Sequence, residues 1–314
     1  MVAPALGGLR AACGDVAEAT AEDTVDGVPA RWVAWPHNTE QVSAVLRAAA
    51  GQGLRVVARG TGTRLLWGTP PTDLDLIVDT SRMAAVLAHV AGDLVVTTQA
   101  GLQMADLQNV LAPHRQRLAL DGAGTVGGTI ATAASGPLRY RYGSVRDLLI
   151  GITVVLADGT ITRSGGTVVK NVAGYDLGKL YTGSLGTLGV ITEAVFRLHP
   201  LPGASRWITV PAADATRAVA ALAAVRASQH DPVALEVDRP VPGGPMTVGI
   251  ALEGVGGGID ARATDVADLL AVAAGTRATV TEQPPDWWAR PPHPPQGPAA
   301  TVTCEPTGLA DLLA

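Results

Sequence analysis

The apolar and polar positions of the first two hundred residues predict short strands separated by two helices. An amphipathic helix is predicted to begin at Asn38 or Thr39, residue types that cap helices, and to end before Gly51. A second helix is predicted at 104–111. This part of the chain is therefore predicted to be an α+β domain. The apolar face of the first helix comprises Val42, Val45, Leu46 and Ala49, and strands are predicted at 32–34, 55–58, 74–78, 94–98, 150–156, 160–163 and 188–198.

The pattern after Pro202 is different, because two longer helices alternate with strands in a regular order. The order β-α-β-β-α-β is that of the ferredoxin-like split unit. We therefore expect an open-faced sheet with two helices on one side, and two domains at 1–203 and 204–314. The predicted strands are 207–210, 234–237, 247–252 and 278–281, and the predicted helices are 213–226 and 259–274.

The end of the sequence combines proline with a short apolar turn. A proline-rich segment at 283–298 is predicted to be an extended linker within the second domain, followed by a strand at 300–303. One helical turn then begins at its cap, Thr307. Its leucines at 309, 312 and 313 are expected to lack a packing partner in the chain, since only Ala314 follows. We therefore expect a second domain that is incomplete at its C-terminus, either continued by a longer native gene or buried at this edge against another subunit.

Composition excludes several classes of protein. The chain has 314 residues, of which 47% are hydrophobic and 16% charged, and this excludes intrinsic disorder. The net charge is −5 and no run of Lys and Arg forms a basic stripe, so no nucleic-acid partner is expected. Cys13 and Cys304 are too few for a disulfide framework or a thiolate metal site, which favours the cytoplasm. Neither a signal peptide nor a transmembrane segment is predicted, because apolar runs stop short of the roughly 20 residues that span a bilayer.

The first of three glycine-rich segments, at 59–64, follows a predicted strand. It reads Arg-Gly-Thr-Gly-Thr-Arg, so that backbone N–H groups can converge on an anion without interference from Cβ atoms. Thr61 and Thr63 add hydroxyl donors, and either Arg59 or Arg64 can add positive charge. The segment matches neither the Rossmann nor the P-loop pattern. An ordinary glycine turn is the alternative interpretation.

The second and third segments are also rich in small residues. The second, 121–136, predicts a helix at 127–134 with Thr, Ala and Ser on its exposed positions. Such a helix packs its backbone against something flat or extended, or is a small-residue helix buried against a sheet. The third comprises 170–177 and 183–192. It contains Lys170, one of only two lysines in the chain, which is either functional or merely solvated.

Together the three segments, in this order and at this spacing, resemble the FAD-binding domain of the vanillyl-alcohol oxidase/p-cresol methylhydroxylase (PCMH) flavoproteins over residues 30–200. Within that superfamily, the sequence at 168–177 and the lack of a long catalytic half make the chain similar to the smaller FAD-binding subunits of glycolate oxidases. Trp287 and Trp288 extend the similarity further. The residues that carry the resemblance are Arg59-Gly60-Thr61-Gly62-Thr63, Gly127-Gly128-Thr129-Ile130-Ala131, Arg141-Tyr142-Gly143, the hairpin Leu156-Ala157-Asp158-Gly159, and the segment 183–192.

The resemblance implies an α+β fold with a PCMH-type FAD-binding domain followed by a ferredoxin-like cap domain. It implies non-covalent FAD, because the six histidines fall outside the glycine motifs. Around the pyrophosphate it implies Arg59, Gly60, Thr61, Gly62, Thr63, Arg64 and Leu65. Along the flavin and diphosphate it implies Asp121, Gly122, Thr125, Gly127, Gly128 and Thr129, with Thr132, Ser135, Tyr142 and Gly143 on the adjoining wall. At the adenine–ribose end or the flavin edge it implies Gly189, Val190 and Ile191.

The function that the resemblance implies is that of an FAD-dependent oxidoreductase acting on CH–OH groups. The chain would be the FAD-binding subunit of a glycolate or 2-hydroxy acid oxidase complex and would exchange electrons with a larger catalytic flavin subunit and an iron–sulfur subunit. It would lie in the cytoplasm or associate peripherally with the inner face of the membrane through those partners. The histidine-rich metal and substrate motif of catalytic relatives is missing, so no metal site is expected.

Two other interpretations stay open, a self-sufficient FAD-dependent 2-hydroxy acid dehydrogenase and a non-catalytic flavin-binding scaffold subunit. Substrate oxidation needs a base or cation that receives a carboxylate and its proton. No residue is assigned this role from the sequence. The candidates are Lys170, Arg139, Arg141, Arg146 and Tyr175.

Overall fold

The structure, a computed structural model, describes residues 2–167, 176–290, 302 and 304–313. The chain forms two compact units. The first comprises Met1–Ser135 and Ser144–Pro200, and the second comprises Gly136–Gly143 and Leu201–Ala314. The segment 136–143 therefore interrupts the first unit in sequence but packs with the second. The domain limits predicted from the sequence, 1–203 and 204–314, are not tested by this division and stay a prediction.

Both units contain helices and short strands. Up to Pro200 the elements in chain order are α1 (Val2–Cys13), β1 (Val16–Glu18), β2 (Thr24–Val25), β3 (Val28–Pro29), β4 (Trp32–Ala34), α2 (Thr39–Ala50), β5 (Val56–Arg59), β6 (Leu76–Asp79), β7 (Val86–Val90), β8 (Val95–Gln99), α3 (Met104–Leu111), β9 (Gln116–Arg117), α4 (Val126–Ala131), α5 (Arg139–Tyr142), α6 (Val145–Leu148), β10 (Leu149–Val155), β11 (Ile161–Gly165), α7 (Gly178–Tyr181), β12 (Val190–Arg197) and β13 (His199–Pro200). After Pro200 they are β14 (Ala204–Ala212), α8 (Ala215–Arg226), β15 (Ala234–Asp238), β16 (Met246–Gly254), α9 (Gly258–Ala274), β17 (Thr279–Thr281) and α10 (Leu309–Leu313).

Two sheets form most of the first unit. In the described residues, one sheet has the order β1-β4-β6-β5, and both β4 and β5 run parallel to β6. The other has the order β11-β10-β12-β8-β7 and is antiparallel throughout. One hydrophobic cluster contains Leu76 of β6 and Val155 of β10, so the two sheets share a core. The α+β prediction is confirmed.

Helix α2 confirms the predicted amphipathic helix. The side chain of Asn38 accepts a hydrogen bond from the Gln41 N–H at 2.9 Å, which satisfies an N–H group at the helix start. The predicted apolar face is buried in the core that α2 shares with α1. Helix α1 was not predicted, because Gly7 and Gly8 in its middle are poor helix formers. Its packing decides the outcome, since Leu9 is fully buried in the same core.

The second unit has the predicted β-α-β-β-α-β order. Its sheet order is β15-β16-β14-β17, and each neighbouring pair is antiparallel, as in a ferredoxin-like unit. Side chains alternate along β14, so that Ile208 and Val210 face the helices while Trp207 lies in a separate cluster. Leu222 of α8 and Leu270 of α9 complete the helix–sheet core.

The other cluster of the second unit is rich in aromatic residues. Trp207 and Trp288 pack there with Tyr142 of α5 against residues of β15 and β16. Gly249 of β16 lies beneath Trp287 and Trp288, and a Cβ at this position would come within 2.6 Å and 2.7 Å of the two rings. The absence of a side chain at Gly249 is therefore what lets both indoles approach the sheet.

The end of the chain corrects one prediction. The leucines near the C-terminus were expected to lack a packing partner, but Leu309 and Leu313 pack against the helix–sheet core of the second unit. Thr307 does not cap a helix, because it lies inside a 3₁₀ turn, Pro306–Gly308, that precedes α10. The predicted strand at 300–303 and the proline-rich residues beyond 290 lie outside the described residues, apart from Val302.

No helix in the described part of the chain combines the length and apolar character needed to cross a membrane.

Asp75 anchors the start of β6 to β5. Its carboxylate is buried and accepts hydrogen bonds from the backbone N–H and the Nε of Arg55, each at 2.9 Å. Burial on its own would raise the pKa of Asp75, but the hydrogen bonds and charge of Arg55 outweigh it and hold the pKa below its usual value. Arg31 adds a longer ion pair at 3.4 Å.

Replacing Asp75 by Asn is expected to lower the free energy of unfolding at pH 7 by about 1–3 kcal/mol, because charged hydrogen bonds in a buried site are lost. A lowered pKa in the folded protein gives stability that is present above the pKa of the unfolded chain and lost as the pH falls through the folded value. The difference between parent and D75N should therefore be constant near neutral pH and shrink below about pH 4. Urea unfolding followed by circular dichroism measures it.

Asp73→Asn is the matched control, because Asp73 pairs with the same Arg55 but has an exposed side chain. This variant should lose about 0.5 kcal/mol or less. Equal losses in the two variants would contradict the role assigned to Asp75.

Candidate functional site

A cavity of about 310 Å³ lies in the first unit where β5 ends. Its walls come from all three glycine-rich segments of the sequence, at 59–65, 123–132 and 185–191. The sheet explains the position of the first segment. Strand β5 is parallel to β6 and ends at Arg59, so the residues that follow lie at the carboxyl edge of the sheet, where the ligand sites of parallel sheets lie. The structure thus brings the three segments to one place.

The residues proposed from the sequence fall into three groups. Those that line the cavity are Arg59, Gly60, Thr61, Gly62, Thr63, Arg64, Leu65, Thr125, Gly127, Gly128, Thr132, Gly189, Val190 and Ile191. Those that belong to the first unit but do not line it are Asp121, Gly122, Thr129 and Ser135. Tyr142 and Gly143 belong to the second unit, where the Tyr142 hydroxyl donates a hydrogen bond to Glu253 at 2.6 Å.

The candidate bases and cations are placed differently. Arg139 and Arg141 lie in α5 of the second unit, where Arg141 forms an ion pair with Asp231. Arg146 lies in α6 and does not line the cavity. Lys170 and Tyr175 lie outside the described residues.

Glycines let the first and second segments touch. A Cβ on Gly60 would overlap the Oγ1 of Thr125, and a Cβ on Gly127 would lie 2.9 Å from the Cβ of Ala100. Gly124 has a φ of +93° and would place a Cβ 3.0 Å from the Oγ1 of Thr61. A larger residue at Gly60 or Gly124 would push the first and second segments apart, and one at Gly127 would push the second segment away from Ala100 at the end of β8.

Helix α4 begins and ends through specific hydrogen bonds. The Thr125 Oγ1 accepts from the Gly128 N–H at 3.2 Å and caps the helix. The predicted helix at 127–134 is too long, because α4 ends at Ala131 and Ala133 has a φ of +48°. The reason lies in the third segment, where the Leu185 N–H bonds to the carbonyl of Ala131 at 2.7 Å. That carbonyl is therefore satisfied by the neighbouring loop.

Arg59 serves the framework of the cavity. Its guanidinium donates to Asp79 and Asp23 at 2.8 Å each, and its side chain is only 17% exposed. Burial on its own would lower the pKa of Arg59, but these bonds raise it. Burial likewise opposes ionisation of Asp23, yet hydrogen bonds from Thr20 and Arg59 hold the pKa of that carboxyl below its usual value. The positive charge of Arg59 is thus already compensated within the protein.

Arg64 is held differently. Its Nη1 donates to the Thr132 Oγ1 at 3.1 Å, and its guanidinium carbon lies 5.2 Å from the ring centroid of Trp67. Burial lowers the pKa of Arg64, although an arginine stays cationic at neutral pH. Among the described residues, no carboxylate forms an ion pair with it.

Several lining residues were not proposed from the sequence. Trp67 could have been noticed as an aromatic residue directly after the first glycine-rich segment, and Leu185, Gly186 and Thr187 as part of the third segment. Val25 offered no signal, since it reaches the cavity from the small β2–β3 hairpin.

The described residues that line the cavity offer groups suited to binding a ligand. The only titratable side chains among the described lining residues are those of Arg59 and Arg64, and neither is a base at neutral pH. In the described chain, the backbone N–H groups of 61–64 make no intrachain hydrogen bond, so they are donors for a ligand. Together with the threonine hydroxyls they suit an anionic group, and the aliphatic lining suits an apolar one. Across the described residues, no three His, Cys, Asp or Glu side chains converge as a metal-binding group.

Comparisons with known proteins agree with this chemistry. A family model described as an FAD binding domain matches residues 30–165. The chain is 34% identical over 210 residues to the glycolate oxidase subunit GlcD of Bacillus subtilis, an alignment covering 65% of this chain and 45% of that protein. It is 38% identical over 198 residues to a mitochondrial cytochrome-type D-lactate dehydrogenase of Saccharomyces cerevisiae, covering 62% of this chain and 34% of the relative. The chain thus spans less than half the length of these relatives.

Solved structures share the fold. A variant of Phl p 4, described as a glucose oxidase, superposes with a TM-score of 0.70 over 88% of this chain and 60% of that one, at 14% identity. At this identity the likeness concerns the fold.

Replacing Gly62 by Val is expected to abolish measurable binding of FAD. Gly62 has a φ of +74°, which a β-branched residue does not tolerate, and it lies in the loop that carries the free N–H donors. Gly53→Val is the matched control, because Gly53 has a φ of +66° with nothing within 4 Å and does not line the cavity. Both variants should lose similar stability in thermal unfolding, but only G62V should lose FAD binding in fluorescence titration. Unchanged FAD binding by a folded G62V protein would contradict the assignment of this loop.

Proposed function

We propose that this chain, whose residues 30–165 form an FAD-binding domain of the PCMH type, is the FAD-binding subunit of a complex that oxidises glycolate or another small 2-hydroxy acid. The observation that carries the proposal is the cavity in which three glycine-rich segments meet around the free N–H groups of 61–64. The names of the relatives, a glycolate oxidase subunit and a D-lactate dehydrogenase, support the substrate class.

The residues of the cavity fit FAD. The diphosphate of FAD is an anion of the kind that clustered backbone N–H groups accommodate, and Gly60, Gly124 and Gly127 keep the walls close without side chains in the way. The described lining residues include no histidine. This supports non-covalent binding, because some members of the family that the chain resembles attach the flavin covalently to a histidine. Thr61, Thr63 and Thr132 would add hydroxyl donors around the diphosphate.

The chain's proposed share of the reaction is supported by the chemistry of the described residues that line the cavity. When bound, FAD supplies hydride and electron transfer. Oxidation of a hydroxy acid also needs a base for the hydroxyl proton, and the described cavity residues offer none. We therefore assign to this chain the binding and orientation of a flavin that exchanges electrons with partners. Those partners are a larger catalytic flavin subunit and an iron–sulfur subunit, in the cytoplasm or at the inner face of the membrane.

A second candidate is a self-sufficient FAD-dependent dehydrogenase, which the similarity to D-lactate dehydrogenase favours. In that case a base outside the described cavity residues would be required. A flavin-binding scaffold that does not turn over is the third. The three differ in what glycolate does to the flavin.

The purified chain is expected to be yellow and to release FAD into the supernatant on acid precipitation. Glycolate or D-lactate added to the chain alone should leave the flavin absorbance unchanged, whereas addition after co-purification with the partner subunits should bleach it. Colourless protein that takes up no added FAD would overturn the proposal, and flavin retained in the acid pellet would overturn non-covalent binding. Bleaching of the isolated chain would favour the self-sufficient dehydrogenase. Bleaching in the complex that is no larger than that of the larger flavin subunit alone would favour the scaffold.

A further inference from the structure

The two arginines at the ends of the first glycine-rich segment differ in charge compensation. Arg59 is paired with two carboxylates, Asp23 and Asp79. Arg64 lines the same cavity, yet its guanidinium contacts a neutral hydroxyl and an aromatic ring. Within the described lining residues, Arg64 is therefore the cation whose charge no carboxylate balances.

The contacts of Arg64 fix its position without neutralising it. The Thr132 Oγ1 accepts one N–H of the guanidinium and donates its own proton to the carbonyl of Gly128 at 2.8 Å, so this hydroxyl is oriented by α4. The ring of Trp67 supports the guanidinium plane at 5.2 Å. A guanidinium carries five N–H donors in a rigid fork, and the Thr132 contact uses one of them. Other donors stay available for an anion.

Arg64 is partly buried and keeps its charge at neutral pH. Moving a charged group away from water raises the free energy unless an opposite charge compensates, and burial lowers the pKa of Arg64 for that reason. No carboxylate in the described chain offsets this penalty. A partly buried cation that no described carboxylate pairs, beside the N–H groups of 61–64, is suited to an anionic ligand that brings the counter-charge with it.

We infer that Arg64 is the counter-charge for the diphosphate of the bound dinucleotide, that Trp67 and Thr132 position it, and that Arg59 has no share in this charge recognition. The inference rests on the proposed binding of FAD and assigns its charge selectivity to one side chain. A planar guanidinium can donate two parallel hydrogen bonds to phosphate oxygens, which gives geometric specificity as well as charge. Arg64 therefore makes the cavity select flavin nucleotides that carry a diphosphate over flavins that lack it.

The test compares binding with stability in the intact chain. The apoprotein of Arg64→Gln is titrated with FAD, ADP and adenosine by isothermal calorimetry, from about 0.05 M to about 0.5 M NaCl. The affinity for FAD and for ADP should fall about 10- to 100-fold, whereas the affinity for adenosine should stay the same. The salt dependence of FAD binding should become weaker. The melting temperature of the apoprotein should change little, because Arg64 is partly exposed and its contacts are one neutral hydroxyl and one aromatic ring.

Two further variants complete the test. One is a control for the loss of an arginine outside the cavity, and the other restores the positive charge at position 64. Arg163→Gln removes an exposed arginine of β11 outside the cavity and should change neither affinity nor its salt dependence. Arg64→Lys keeps the charge without the fork and should restore the salt dependence with an affinity about 3- to 10-fold below that of the parent.

The outcomes separate this inference from the proposed function. If the parent protein binds no FAD, the proposed function fails. If the parent binds FAD and R64Q binds FAD and ADP as tightly at every salt concentration, only the role of Arg64 is overturned. An equal loss for adenosine would show that Arg64 shapes the cavity rather than binding the anion, and would also overturn the inference.

Discussion

The cavity of the first unit depends on one steric constraint, the contact between the backbone of Gly60 and the side chain of Thr125. A Cβ at position 60 would overlap the threonine Oγ1, so the loop after β5 can approach α4 only as glycine. The same Oγ1 caps α4 by accepting the Gly128 N–H. One hydroxyl therefore sets both the start of the helix and its distance from the loop. A second contact, between the Leu185 N–H and the Ala131 carbonyl, joins the other end of α4 to the third segment.

The two arginines of the cavity differ in what balances their positive charge. Carboxylates of the protein balance Arg59, whereas Arg64 is left for an anionic ligand. Asp23 and Asp79 hold Arg59, and this network ties the small β2–β3 region to the ends of β5 and β6. Arg64, five residues later in the sequence, contacts a hydroxyl and an aromatic face, and no carboxylate of the described residues forms an ion pair with it. Two arginines that look equivalent in the sequence thus have opposite roles, because carboxylates from distant parts of the chain reach only one of them.

Sequence reasoning succeeded where a structural feature depends on local pattern. Helix α2, with Asn38 as its cap, and the whole β-α-β-β-α-β order of the second unit follow from periodicity and capping, which neighbouring residues determine. The glycine-rich segments could be found in the sequence because close backbone packing requires small residues, and a run of small residues is visible in the composition. Helix α1, the early end of α4 and the packing of Leu309 were missed, since each depends on a contact with a distant segment. The roles of Arg59 and Arg64 were left open for the same reason.

The glycine at position 249 has a consequence for the order in which the second unit can be completed. Both indoles that cover it, Trp287 and Trp288, follow β17, the last described strand of the sheet, and Leu309 and Leu313 reach the helix–sheet core later still. During synthesis β14, β15 and β16 therefore emerge before Trp287 and Trp288. Until the two indoles follow, the apolar surface that they cover around Gly249 is exposed, and such surface makes an incomplete chain prone to aggregate. A chain stopped just after β17 would keep every strand of this sheet and lack both indoles, with Tyr142 left as the aromatic residue from outside the sheet in that cluster.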